Sequence, residues 1–341
     1  MIIDCHGHFT TIPASLRAWR GKQTDAVKDP SVTPSPEGAH VSDDQIREAI
    51  ENGQLRLQKE RGSDLTLFSP IAGLMSHHLG NEQTSLEWAT ISNDLVHRVT
   101  EMYPDNFAPV GMLPQSPYAP PKNSIPELRR IVEELGFVGV NLNPDPTGGY
   151  WTGKPVTDRE WYPLYEVLAE LDVPAMIHVA ASCNPCFHGT GAHYLNADTS
   201  VFMQVLQSSL FKDFPTLRFV IPHGGGAVPY HWGRYRGMSL EMMERPLEGL
   251  LDNVFFDTCV YHQPGVELLT KVIPADNVLF GSEMIGAVRG KDPATGQYFD
   301  DTKRYVDGIA ALSEDDRYKI YEGNARRVYP RLDKRLKAQG K

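Results

Sequence analysis

Eight short apolar runs, each followed by a stretch with helical spacing, constrain this chain more than any other feature of it. They occupy residues 2–8, 65–73, 107–115, 137–145, 173–181, 218–226, 254–261 and 278–286. Most are continuously apolar rather than alternating, as strands of a parallel sheet covered on both faces should be. The segments between them carry helix punctuation. Ser42 with Gln45, Thr84 with Glu87 and Thr157 with Glu160 have capping-box spacing, Pro126 suits a first helical turn, and Gly136 suits the turn back into the next strand. No break in composition divides the series. The expected fold is therefore α/β: a (β/α)8 TIM barrel formed by residues 1–341 as one domain, with an inserted loop-helix segment after the first strand. A doubly wound sheet is the alternative. Residues 10–61, a Pro-rich polar loop plus one helix, are expected to form a flap over the strand ends.

Charge narrows the partners. With 33 basic against 43 acidic residues the formal charge is -10, so the overall field repels nucleic acid and anionic lipid. An anionic small molecule would need a local cluster of Arg. Neither a leader-type apolar segment nor a membrane span is expected, and four cysteines are too few for a disulfide framework, so a cytoplasmic location is the default.

The candidate chemistry sits at strand ends. His6 and His8 close the first run, His178 follows Ala175-Met176-Ile177, His223 follows Phe219-Val220-Ile221-Pro222, and Glu283 follows Phe280-Gly281-Ser282. Any one of these histidines alone could be a core residue bonded to backbone. Together, at the carboxyl ends of buried strands, they would be costly to leave unpaired, and a divalent cation satisfies them at once. Imidazoles with one carboxylate suit Zn2+, with Mn2+ as the lesser alternative. His6, His8, His178 and Glu283 are the expected ligands, one ion per subunit. His77, His78, His97, His231 and His262 fall away from strand ends and are expected to be surface or core residues.

Other motifs point elsewhere only weakly. Cys183-Asn184-Pro185-Cys186 lacks the second pair of a structural zinc site, and Gly224-Gly225-Gly226 has neither P-loop nor dinucleotide spacing. No G-x-S-x-G marks a serine hydrolase.

Ile3-Asp4-Cys5-His6-Gly7-His8, Pro222-His223-Gly224-Gly225-Gly226-Ala227 and Glu322-Gly323-Asn324-Ala325 resemble the amidohydrolase superfamily over essentially the whole chain. The similarity is to the branch that holds aminocarboxymuconate semialdehyde decarboxylase and the resorcylate-type decarboxylases. Asn141, Leu142 and Asn143 stand where a carbamylated lysine would be, so one metal is implied, not two. The decarboxylases of that branch usually carry Asp after the eighth strand, whereas this chain has Gly281-Ser282-Glu283-Met284. That variant resembles the hydratases of the branch, from the protocatechuate 4,5-cleavage route of aromatic and lignin-derived compound breakdown. The resemblance implies addition of water across the C=C of a tricarboxylic 2-keto acid.

Such a hydration needs a nucleophile at neutral pH, a sink for the enolate and a proton for the adjacent carbon. The metal would supply the first, and Glu283 and His223 are the candidates for proton transfer. A small anionic tricarboxylate calls for Arg forks: Arg20, Arg234 and Arg289 are the candidates, with Tyr194 as a hydrogen-bond donor. For each, a structural or surface role is the competing explanation. Arg234 follows His223 by a spacing that resembles an Arg lent to a neighbouring subunit, which implies a homodimer or higher oligomer. A non-oxidative decarboxylase, a hydrolase of a lactone or amide, and a non-enzymatic metal-binding barrel remain the competing functions.

Overall fold

The computed structural model describes residues 1–29, 31–32 and 34–341. Its eight strands are β1 (Ile3–His8), β2 (Leu65–Ser69), β3 (Phe107–Met112), β4 (Gly139–Leu142), β5 (Ala175–Ile177), β6 (Phe219–Ile221), β7 (Val254–Asp257) and β8 (Val278–Leu279). They pair in parallel in sequence order from β1 to β8. The seam between the last strand and the first is held by Cys5 N–H donating to Phe280 O at 2.8 Å and Glu283 N–H donating to His6 O at 2.7 Å. Across the same seam, Asp4 Oδ1 accepts from Ser282 N–H at 3.0 Å and Oδ2 accepts from the Ser282 hydroxyl. The (β/α)8 barrel expected from the eight runs is the fold.

Two apolar compartments follow from the side-chain alternation of the strands. Inside the barrel Ile3, Cys5, Leu65, Leu67, Val110, Met176, Val220, Phe255 and Leu279 pack with Val328, Tyr329, Leu332 and Leu336 of the C-terminal helices. Gly139 permits this, since a Cβ there would stand 2.7 Å from Tyr329 Cε1. Outside, the helices lay a larger cluster around Leu128, Ile131, Leu164, Tyr165, Phe202 and Val306 onto the outward faces of the strands.

Several local expectations need correction. Among its described residues the segment after β1 holds three α-helices, Ala14–Ala26, Asp43–Asn52 and Gln54–Arg61, where the sequence suggested one. Scattered polar residues hid the periodicity, because Arg20, Gln23, Gln54 and Gln58 are buried on these helices. Ser42 and Gln45 do form a capping box. The helix Glu82–Met102 starts earlier than Thr84 implies: Asn81 caps it, accepting from Thr84 N–H at 3.0 Å, because the left-handed Gly80 turns the chain just before. Asp158, not Thr157, caps the next start, accepting from Glu160 N–H at 3.0 Å. Among the described residues no helix is long and apolar enough to cross a membrane.

Candidate active site

Short strands with irregular continuations bring the histidines together. β1 shifts register between Asp4 and Gly7, and Gly7 lets the strand lie against Thr66, whose side chain a Cβ would strike. The two flanking imidazoles then meet at right angles, ring centres 5.0 Å apart. His178 lies just past β5. His223 lies past β6 in a left-handed turn of φ +52°, and Glu283 lies past β8 at φ +47°. These two positive φ values in non-glycine residues are strained, at about 1–3 kcal/mol each, and sit where two side chains must turn back toward the barrel axis.

Every ring has one nitrogen tied down. His178 Nδ1 lies 2.8 Å from Val179 O, which can only accept, so that nitrogen carries the proton. His6 Nδ1 donates to Asp257 Oδ2 at 2.7 Å. His8 Nδ1 lies 2.6 Å from Ser69 Oγ, whose hydrogen points to Gly7 O at 3.1 Å, so His8 is the donor. Asn141 Nδ2 also donates to Ser69 Oγ, at 3.1 Å. Burial, then the neighbouring imidazoles, holds His8 and His178 well below the ordinary histidine pKa. They are neutral, with the lone pair on Nε2.

Those lone pairs face one another. His8 Nε2 is 3.2 Å from His178 Nε2, with no proton between these two neutral rings, and 3.1 Å from His6 Nε2. A cation turns this repulsion into coordination, and the Nδ1 contacts to carboxylate, hydroxyl and carbonyl are the supports that ligating histidines use. Among the described residues, donor atoms of His6, His178, His223 and Glu283 lie within 4.8 Å of one another, as do those of His6, Asp257 and Cys259. His8 adjoins the first set through His6 and His178. A divalent cation fits the residues present.

Around the histidines, Tyr261 OH donates to Glu283 Oε2 at 2.7 Å, and the Cys259 thiol lies 3.7 Å from the same oxygen. Tyr194 is buried with its ring 5.2 Å from His178 and 5.5 Å from His223. Burial and the nearby Glu283 raise its hydroxyl pKa, so it stays a donor. His223 Nδ1 lies 2.9 Å from Asp198 Oδ2, while its Nε2 is buried without a partner among the described residues. Burial works against charge on His223, but Asp198 outweighs it and pushes the pKa up to about 9.

The arginine candidates fare differently. Arg20 is buried beneath Trp88 and spends its donors on Leu74 O, Met75 O and Gln23 Oε1 at 3.2, 2.7 and 2.5 Å, so its role is structural rather than substrate clamping. Arg234 is exposed on the helix Trp232–Met243, and Arg289 is exposed in the loop after β8, its Nε donating to Gly286 O at 3.4 Å. Cys183 and Cys186 are exposed free thiols. Sequence reasoning missed Asp257, Ser69, Tyr261 and Asp198. Asp257 carried the same signal as the histidines, since it ends the apolar run Val254-Phe255-Phe256. Asp198 gave none, because it lies on the helix Tyr194–Leu206 and reaches His223 only in space.

A closed parallel barrel with His and carboxylate donors gathered past the carboxyl ends of its strands defines an amidohydrolase. The chain belongs to the amidohydrolase family, whose model matches residues 3–331. It is 60% identical over 342 residues to 2-keto-4-carboxy-3-hexenedioate hydratase of a Sphingobium species, covering 100% of this chain and 99% of that one. The crystal structure of 4-oxalomesaconate hydratase from Rhodopseudomonas palustris superimposes with a TM-score of 0.93 at 58% identity, covering 100% of this chain and 99% of that one. A gamma-resorcylate decarboxylase of a Polaromonas species is 24% identical over 302 residues, 82% of this chain and 87% of that one. Dihydroxybenzoic acid decarboxylase from Polaromonas, crystallised with manganese, shares the fold at TM-score 0.68 and 20% identity over 96% of each chain.

Proposed function

We propose that this chain, acting as one barrel domain over residues 1–341, is a metal-dependent hydro-lyase. It adds water to the C=C of 4-oxalomesaconate (2-keto-4-carboxy-3-hexenedioate) to give 4-carboxy-4-hydroxy-2-oxoadipate in protocatechuate 4,5-cleavage catabolism. The observation that carries the reading is end-to-end likeness to the Sphingobium hydratase at 60% identity.

The residues suit the reaction. His6, His8, His178 and Glu283 would hold the ion, with His223 beside them, and three imidazoles plus a carboxylate favour zinc over manganese. When bound, such an ion supplies Lewis acidity that makes a water-derived nucleophile available near neutral pH. Oxygen adds to carbon 4, β to the ketone, and the electron pair moves to the ketone oxygen as an enolate. Glu283 takes the proton released by the attacking water and returns a proton to carbon 3, so that one molecule of water is added in full. His223, charged and held by Asp198, presents Nε2–H to developing negative charge. Tyr194 offers its hydroxyl to one carboxylate, and Arg234 or Arg289 supplies a cation to another. Four unpaired cysteines support a cytoplasmic setting.

Purified, metal-replete protein is incubated with the unsaturated keto tricarboxylate, and the loss of its conjugated ultraviolet absorbance is followed. Appearance of the hydroxylated product in equal amount is expected. Release of CO2 without that product would establish the decarboxylase instead.

A further inference from the structure

Past Tyr194, the aromatic lining of the site continues into a feature that the hydration mechanism does not use. His193 is fully buried, and neither of its ring nitrogens has a partner among the described residues. Trp151 stands 6.5 Å from it, edge to face, and its indole Nε1 is also buried and unpartnered. His193 lies 6.5 Å from Tyr194, which in turn packs on His178 and His223. Three unpartnered polar side chains therefore lie along one arc of rings, running from His223 through Tyr194 and His193 to Trp151. Buried polar groups are almost always paired, so several in one place mark a site whose partner comes from outside the chain.

The arc is built, not incidental. Asp145 Oδ2 accepts Gly149 N–H at 2.6 Å, Asn184 Nδ2 donates to Gly149 O at 2.8 Å, and Ser182 Oγ donates to Gly148 O at 3.1 Å. The first bond folds the loop after β4 on itself, and the other two join it, next to Trp151, to the loop after β5 that leads into His193. Trp151 itself is held at φ +52°, an unusual conformation for a bulky residue.

We infer that His193 and the indole N–H of Trp151 form a carboxylate subsite, receiving the substrate carboxylate that lies farthest from the histidine cluster and so selecting tricarboxylates over shorter acids. The inference rests on the hydratase reading and adds to it the residues that set substrate choice. A neutral imidazole and an indole each offer one N–H, which matches the two oxygens of one carboxylate. No cation is required in this arc.

The test uses full-length, metal-loaded protein, with 4-oxalomesaconate turnover and calorimetric binding of the hydrated product as readouts. His193→Leu should raise KM and the product Kd by about ten- to a hundredfold, the cost of one lost bond to a charged group, and leave kcat within a few-fold. His193→Asn, which keeps a donor, should recover most of the affinity. Trp151→Phe removes only the indole N–H and should raise KM even if His193→Leu does not fold. Unchanged KM and Kd in both Trp151→Phe and a folded His193 variant would overturn the inference while the hydratase reading stands. Wild-type protein that neither hydrates nor binds the tricarboxylate would overturn that reading, and the inference with it.

Discussion

Asp198 and Tyr194 stand one turn apart on the same helix and both reach His223, the first by a 2.9 Å contact to Nδ1 and the second by packing its ring 5.5 Å away. One helix face thus sets both the charge and the orientation of the imidazole whose Nε2 faces the site. Asp198→Asn preserves the shape and an acceptor oxygen but removes the charge that stabilises imidazolium. We expect kcat to fall by about a hundredfold with KM and metal content near wild type, the range ascribed to one general acid or base. Steady-state kinetics with metal analysis on the same sample decides it, and unaltered kcat would show that the reaction makes no use of charge on His223.

Glu283→Gln should keep the ion, bind product and lose about a hundredfold or more in turnover. The amide oxygen remains a weak ligand while the imidazoles hold the metal, yet it cannot carry a proton at neutral pH. Near-normal activity at full metal occupancy would rule out the dual role and leave His223 as the proton-transfer residue.

Metal content should be one equivalent per chain, zinc in preference to manganese, and chelation should abolish turnover reversibly. His178→Ala removes one of the facing lone pairs and should lower both content and activity. Elemental analysis showing full occupancy and full activity in that variant would show that the ion, if any, lies elsewhere.

His77 provides a pH dependence of stability. Burial, opposed in part by the bond to Gln115 O, lowers its pKa from 6.5 to about 4 in the folded chain. On acidification the unfolded chain takes up this proton first. The contribution is therefore fully present above pH 6.5, is lost as pH falls toward 4, and changes no further below that. The window corresponds to about 3 kcal/mol. Urea titrations across this range should show the stability gap between wild type and His77→Asn narrowing by that amount, and a constant gap would exclude it.

Arg234 is exposed on a helix that also exposes Leu240 and Met242, 57% and 58% accessible. If it serves a neighbouring subunit, Arg234→Ala and Glu283→Gln chains, each nearly inactive, should regain activity when mixed, because half of the hybrid sites are complete. Subunit exchange without recovery would confine Arg234 to its own chain.

The barrel was legible because parallel strands buried on both faces leave continuous apolar runs, and the ends of those runs located His6, His8, His178, His223 and Glu283. What escaped depends on distance through space. Arg20 has the sequence context of a loop cation and is instead a buried brace, since Trp88 and the Leu74 and Met75 carbonyls come from a later part of the chain. The same holds for Asp198 and Ser69, whose function exists only through the histidines they touch.

The donor set straddles the seam where β1 meets the continuation of β8, with His6 and His8 on one side and Glu283 on the other. The two halves of the site are thus made at opposite ends of synthesis. A nascent chain on the ribosome carries the His6 and His8 pair early but has no carboxylate to close around an ion until the last βα unit emerges. An ion held by both sides would then act as a clasp that rewards closure of the barrel, since it would stabilise only the joined form. Loss of the ion should accordingly loosen this seam first, and backbone amides of Cys5 and Glu283 are where hydrogen exchange would register it.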